Sequence, residues 1–434
     1  MIQAKTFRYG GLSLDRAAAW QPVSPILNAF LPASALVPLK QHAGPAARCV
    51  VRKGDVVREG QLIGKAEASE AAHVHSPVPG VVTDIRMIRV AAETPMEAVE
   101  IALRGTFDKL GKREERYLWT SLSRADLLQT MRDRGVVEME PDGRPLAALV
   151  RERGSAKFLV LNALECEPYV RTETSLLAEK GKEVLEGFAI LAELLGPALR
   201  VVALGPAESE GALEFAAMAK SAGAGIEAVH LMERYPQEMP NQLLSVMRLE
   251  RQTPTPADAF IVRPSTTLAL FEAIVLAKPV VERYVTVAGG AIKRPAVLKA
   301  RLGTPIGDLI EECGGFVDAP ERIVLGGPLR GIPVHNLDAP INKSTSAVLA
   351  LTSAETNLHH VEPCIRCGRC SEVCPERLSP SDLFRRIERD RHEEAFALGL
   401  DSCSRCGACG YVCPSRIPLV DAFRQEQASR KATR

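Results

Sequence analysis

Along the first hundred residues, short apolar runs are broken by Gly or Pro every few positions. Cys49-Val-Val-Arg-Lys-Gly54, Asp55-Val-Val-Arg-Glu-Gly60 and Gln61-Leu-Ile-Gly64 read as strands joined by tight turns. His75-Ser-Pro77-Val-Pro79-Gly80-Val-Val adds another turn and strand. From residue 123 the period lengthens. Ser123 is placed to cap an amphipathic helix, Arg124 to Arg134, stopped by Gly135. Four apolar runs follow, Phe158 to Asn162, Arg200 to Gly205, Ile226 to Leu231 and Ala259 to Val262. Most are separated by helical patterns, as in Leu176 to Leu195 with apolar residues three and four apart. Strands alternating with helices predict a mostly parallel sheet covered on both faces, whose ligands bind outside the strands' carboxyl ends. Asn162-Ala-Leu-Glu165-Cys166-Glu167-Pro168-Tyr169 lies at one such end. After Pro279 the pattern is again β: Tyr284 to Gly290, Lys299 to Gly303, a helix from Pro305 to Cys313, and strands near Ile323 to Leu325 and Ile341 to Leu351. Two strands, a helix and a further strand suggest a β-grasp-like module. A last helix is expected from Ser381 to Leu398, capped by Ser379 or Ser381, with polar, frayed residues from Gln425 to Arg434.

The chain of 434 residues is long enough for two to four domains. With 46% apolar and 25% charged residues and a net charge of +1, it gives no reason to expect nucleic acid or a strongly acidic partner. The N-terminus lacks the apolar stretch of a signal peptide, and no charge-free apolar run reaches eighteen residues. Phe188 to Leu204 comes nearest and is interrupted by Glu193, Gly196-Pro197 and Arg200. These features place the chain in a reducing cytosol and leave open docking on membrane partners.

Eight of the eleven cysteines change this picture. Cys364-x2-Cys367-x2-Cys370-x3-Cys374-Pro375 is repeated as Cys403-x2-Cys406-x2-Cys409-x3-Cys413-Pro414. This is the spacing of the bacterial two-cluster ferredoxin run, in which the fourth cysteine of each run ligates the other cluster. The expected sets are Cys364, Cys367, Cys370 and Cys413 on one [4Fe–4S] cluster, and Cys374, Cys403, Cys406 and Cys409 on the second. Structural zinc uses CxxC pairs but needs neither a third equally spaced cysteine nor Cys-Pro. A disulfide framework belongs to small secreted chains. Cys49, Cys166 and Cys313 are scattered and read as reduced thiols. Two such clusters move electrons one at a time.

The GDxVxxGQ and SPxxGxV stretches resemble the biotinyl/lipoyl-type barrel-sandwich fold. No lysine stands in a tight tip between the halves, so the domain is expected to be structural. Taken in order, Gly10-Gly11, Gln41-His42-Ala-Gly44, Gly54-Asp55, Gly60-Gln61, His75-Ser-Pro77, Glu165-Cys-Glu167-Pro-Tyr169, Glu282-Arg283, Gly303-Thr-Pro305, Gly326-Gly327-Pro328, Lys343-Ser-Thr-Ser and the two cysteine runs resemble the RnfC family, the C subunits of the Rnf complex. That complex is the membrane-associated, ion-translocating ferredoxin:NAD⁺ oxidoreductase. The resemblance spans nearly the whole chain. It implies a multidomain α+β and α/β protein: a β-rich barrel-sandwich domain over 1–115, an α/β domain similar to the complex I flavoprotein over 116–280, a β-grasp (soluble-ligand-binding-like) module over 281–355, and an α-helical two-cluster ferredoxin-type domain over 356–434. It also implies a peripheral subunit on the cytoplasmic face of the inner membrane, relaying electrons among integral membrane and flavin-bearing subunits and a ferredoxin-type carrier.

One stretch departs from the family. Where members carry a GxGGAGFPT-type loop that approaches flavin and nicotinamide, this chain reads Gly135-Val-Val-Glu138-Met-Glu140-Pro-Asp142-Gly143-Arg-Pro145. Three carboxylates beside a phosphate are unfavourable, so the stretch reads as a solvated acidic turn and argues against FMN and NADH. Glu165 and Glu167 are the residues the resemblance places at such a site. His42, His73 and His75 are read as structural, and His359-His360 as linker beside the first run. Two alternatives remain: a soluble flavin-dependent reductase, like the microcompartment cobalamin reductases, and a non-catalytic cluster-bearing scaffold.

Overall fold

The computed structural model describes residues 5–14, 25–90, 95–105, 115–207, 211–222, 225–247, 253–356 and 360–433. Residues 34–103 form two small antiparallel sheets. One runs Ser34–Pro38, Met96–Leu103, Gly80–Ile88 and Val56–Val57, and the other Arg48–Cys49, Leu62–Lys65 and Val74–His75. Ala35, Val37, Ile63, Val74, Val99 and Ile101 share a core, as alternation on half-buried strands requires. The polar residues of the two turn motifs close their own turns. Asp55 accepts from the Arg52 amide at 2.8 Å, and Gln61 from the Arg58 amide at 3.0 Å.

The central sheet has four strands, β1 (Phe158–Asn162), β2 (Leu199–Leu204), β3 (Ile226–His230) and β4 (Ala259–Val262). They lie in the order β3-β2-β1-β4, all parallel, so the chain reverses its direction of winding between β1 and β4. Helix α1 (Arg124–Asp133) begins with the expected Ser123, in a capping box with Asp126. Helices α2 (Thr172–Leu195) and α3 (Pro264–Val275) pack together on one face of the sheet. Period two sorts the strand residues. Leu159, Leu161, Val202 and Leu204 join the core under these helices, whereas Phe158, Val160, Val201 and Ala203 face a second core that includes Cys406 and Ala408. The parallel sheet is therefore the platform on which the second cysteine run is docked.

A six-stranded mixed sheet follows, in the order Leu27–Asn28, Ala296–Arg301, Glu282–Ala288, Ala347–Leu351, Arg322–Leu325 and Ile332–Val334. The strand at Ala347–Leu351 is shorter than the expected Ile341 to Leu351. Asn342 and Thr345 turn the chain there, Asn342 Oδ1 accepting from the Ser344 amide at 2.9 Å. That turn buries Lys343, whose ammonium donates to His73 O at 3.0 Å and Gly135 O at 2.7 Å and so ties three units together.

The helices after residue 368 include Arg369–Glu372, Pro380–Ile387, His392–Ala397, Ala408–Tyr411 and α4 (Leu419–Thr433). The single helix expected from Ser381 to Leu398 is two, broken where Asp390 takes φ +55°. Residues 425–433 are not frayed but helical. Gln427 Nε2 donates to Leu400 O at 2.7 Å, and the Arg430 guanidinium lies 3.9 Å from the Phe396 ring centre. Among the described residues no helix is long and apolar enough to cross a membrane.

Candidate functional site

The two cysteine runs fold alike. Arg366 and Arg405, each just before the second cysteine of its run, have φ +56° and +55°, and Arg377 and Arg416 have +57° and +54°. A short helix follows Gly368 and Gly407 in turn. The second run closes against its neighbours: a Cβ on Gly407 would stand 2.5 Å from the Leu329 carbonyl oxygen. The Tyr235 hydroxyl donates to Cys406 O. On the other side, a Cβ on Gly10 would stand 2.6 Å from the Cys374 carbonyl, and the Gly11 amide donates to Val373 O at 2.8 Å.

One cavity is lined by Cys374, Cys403, Cys406 and Cys409, with Leu378, Pro380, Val420 and Phe423 as its apolar wall. Cys374, from the first run, is thus brought to three cysteines of the second. No disulfide joins any of the eleven cysteines. The Leu378 amide donates to Cys374 Sγ at 3.3 Å, and amides of Arg405, Ala408 and Gly410 serve Cys403, Cys406 and Cys409. Burial pushes the thiols of Cys374, Cys403 and Cys409 up, and that of Cys406 up to about 11. They become anions only when a metal takes the place of their protons. Among the described residues no three His, Cys, Asp or Glu converge as the ligands of one ion would. Four soft donors around one pocket, backed by amides, fit an iron–sulfur cube, whose irons each take a separate thiolate. Such a cube supplies one-electron redox chemistry. Of the other four cysteines, Cys364 and Cys367 are exposed, Cys413 is intermediate and Cys370 is buried. Ile365, 67% exposed, and Val361 and Tyr411 lie beside them at the surface.

At the carboxyl ends of β1 and β4, a cavity of about 370 Å³ is lined by Glu140, Asp142, Glu165, Glu167, Glu173 and Glu238, and by Arg263, Arg330, Arg405 and Arg424. Glu165 and Glu167 do meet here, but each is committed to the fold. Glu165 accepts from the amides of Glu173 (2.8 Å) and Thr174 (2.9 Å) at the start of α2. Glu173 in turn accepts from the Ser265 amide at 2.8 Å at the start of α3. Helix N-termini that could receive a phosphate thus hold carboxylates of the chain itself. Glu167 accepts from the Leu329 amide at 2.9 Å in the Gly326–Gly331 loop, and burial pushes its carboxyl up to about 7 against the pull of Arg330.

Segment 135–146 is solvated at its acidic tip, where the Asp142 side chain is 73% exposed, but it is more than a turn. It is a hairpin that spends its amides on itself and its neighbours. Glu138 N donates to Arg144 O at 2.9 Å, Gly143 N to Glu140 O at 3.0 Å, Arg144 N to Glu138 Oε2 at 3.1 Å and Met139 N to Thr266 Oγ1 at 2.9 Å. Its carboxylates find arginines: Glu140 lies 3.0 Å from Arg263 Nε, and Asp142 2.5 Å from Arg405 Nη2. Fully buried Arg283 holds the hairpin from below, donating to Met139 O at 3.0 Å. With these amides engaged and three carboxylates along it, segment 135–146 offers no amide cradle of the kind an FMN phosphate needs.

The histidines act as hydrogen-bond partners of backbone. His42 Nε2 accepts from the Ala72 amide at 3.0 Å, and His73 Nδ1 from the Ala66 amide at 2.9 Å. Burial pushes His75 down to about 3. His359 lies outside the described residues, and His360 is exposed. Glu173, Glu238, Arg263, Arg330 and Arg405 line the cavity without having been singled out by sequence. Arg263-Pro264 at a strand end and Arg405 inside a cysteine run were the available signals.

Comparison with known proteins agrees with this layout. Family models match in order: an RnfC barrel sandwich hybrid domain at 5–106, a Nuo51 FMN-binding domain at 131–265, an SLBB domain at 284–333 and a 4Fe-4S dicluster domain at 360–417. The C subunit of the proton-translocating ferredoxin:NAD(+) oxidoreductase complex of Clostridium ljungdahlii is 32% identical over 399 residues, covering 90% of this chain and 86% of that one. The C subunit of the ion-translocating oxidoreductase complex of Rhodobacter capsulatus is 33% identical, covering 85% and 73%, and that of Pseudomonas aeruginosa is 34% identical, covering 90% and 51%. A chain of an NAD⁺-reducing [NiFe]-hydrogenase shares the fold at a TM-score of 0.50 and 15% identity, covering 71% of this chain and 63% of that one. The C-terminal domain is of the two-cluster [4Fe–4S] type, and the chain belongs to the RnfC family, the C subunits of the ion-translocating oxidoreductase complexes.

Proposed function

We propose that this chain is the peripheral, cluster-bearing subunit of a membrane-bound redox-driven ion pump, seated on the cytoplasmic face of the inner membrane. Cys374, Cys403, Cys406 and Cys409 hold the inner cluster, and Cys364, Cys367, Cys370 and Cys413 the outer one. The observation that carries the reading is the shared cavity of four thiols drawn from both runs. The inner set is packed against the parallel sheet, and the outer set has Cys364 and Cys367 at the surface, so the outer cluster is the port to a partner. Electrons reach the chain from another redox centre, a flavin-bearing subunit or a ferredoxin-type carrier, because the amides of segment 135–146 and of the helix starts at the strand ends are engaged within the chain and its carboxylates line the cavity there. Amides directed at the sulfurs stabilise the reduced, more negative clusters and set their potentials. The same engaged amides and acidic lining argue against a self-sufficient flavin-dependent reductase.

Cys374→Ser tests the crossing of the runs. The variant is expected to lose the inner cluster, about half of its iron, while the outer cluster keeps its paramagnetic signal on reduction. Loss of the outer signal, with the inner retained, would refute the assignment.

A further inference from the structure

The cavity of four thiols and the acidic cavity at the strand ends share a wall made of Ser404 and Arg405. Arg405 stands between Cys403 and Cys406 and holds φ +55°, a conformation that fixes where its side chain leaves the loop. Its guanidinium meets Asp142 of the 135–146 hairpin at 2.5 Å, across 263 residues of sequence. The hairpin is firmly held, by its own amide pairs and by the buried Arg283 beneath Met139. Arg405 also faces the cluster side: its amide donates toward the Cys403 sulfur.

We propose that Asp142 is a positioning residue for the inner cluster, holding and neutralising Arg405 so that the acidic hairpin tunes the cluster's potential. The proposal rests on the two-cluster reading above. Its sign follows from charge. Reduction adds an electron to the cluster, so an unneutralised cation beside it favours the reduced form and an unneutralised anion opposes it. The Asp142 side chain is 73% exposed and that of Arg405 32%, so solvent screens the pair and the effect is modest and salt-dependent.

The test is a potentiometric titration, followed by electron paramagnetic resonance, of the full chain loaded anaerobically with iron and sulfide. Wild type, Asp142→Asn, Arg405→Gln and the double variant are compared at low salt, the inner signal being the one that Cys374→Ser removes. Asp142→Asn is expected to raise the inner midpoint, with the reduced-to-oxidised ratio at a fixed potential increasing about threefold, equivalent to about 28 mV at 59 mV per tenfold. Arg405→Gln is expected to lower it, and the double variant to return close to wild type. Shifts that shrink at high salt support the pairing. Midpoints that do not move, or single variants that shift in the same direction, overturn it. A preparation with one cluster overturns instead the two-cluster reading, which iron analysis detects separately.

Discussion

Glu138 shows how a single carboxyl can be built into a hairpin at a measurable cost. Burial is the main cause pushing it up to about 7, the nearby charge of Glu140 adds to this, and the Arg144 amide opposes it. A folded value above the unfolded 4.5 means that the native state binds the extra proton between those two values. The contribution of Glu138 to stability is therefore fully present below about pH 4.5, is lost as pH rises through about 7, and does not change further above. Relative to wild type, Glu138→Gln is expected to be nearly equally stable near pH 5 and more stable at pH 8 by on the order of 1–3 kcal/mol, measured by denaturant unfolding at both pH values. A difference that does not grow with pH would show that Glu138 is solvated. At this scale the cysteines were legible because covalent spacing alone dictates how thiolates reach a cube. Asp142 was not legible as a partner of Arg405, because an ion pair between positions 263 apart is created only by docking one domain on another.

At the scale of elements, carboxylates serve as caps for helices they do not belong to. Glu173, within the first turn of α2, accepts the Ser265 amide and hydroxyl at the start of α3, at 2.8 and 2.6 Å. Glu173→Ala is expected to cost about 1–3 kcal/mol in equilibrium unfolding, and Glu173→Gln, which keeps an acceptor, to recover most of it. Equal stability of all three proteins would show that the helix start does not depend on this carboxylate. The parallel strands could be read from the sequence because Phe158 to Asn162 and Ala259 to Val262 are short apolar runs between helical patterns. The break at Asp390 could not, since no Gly or Pro marks it and an aspartate tolerates the left-handed region without advertising it. The end of helix α4 was hidden for a different reason. Its residues are polar, as in a solvated tail, yet Gln427 and Arg430 turn inward to Leu400 and Phe396.

Over the whole molecule, the fold joins a flavoprotein-like sheet to a two-cluster domain through a crowded, charge-compensated junction. The order of the four family domains was visible in short motifs. That the strand-end cavity would be lined by paired acidic and basic side chains was signalled only by the loss of glycines from segment 135–146. On the proposed reading the chain relays electrons through its two clusters. The most direct measurement is anaerobic isolation of the full chain with iron, sulfide and flavin quantified, followed by addition of NADH under spectroscopic observation. A relay without its own flavin should show about eight irons and eight sulfides per chain, no stoichiometric flavin, and clusters that NADH alone leaves oxidised. One FMN per chain together with NADH-driven bleaching of the clusters would contradict it.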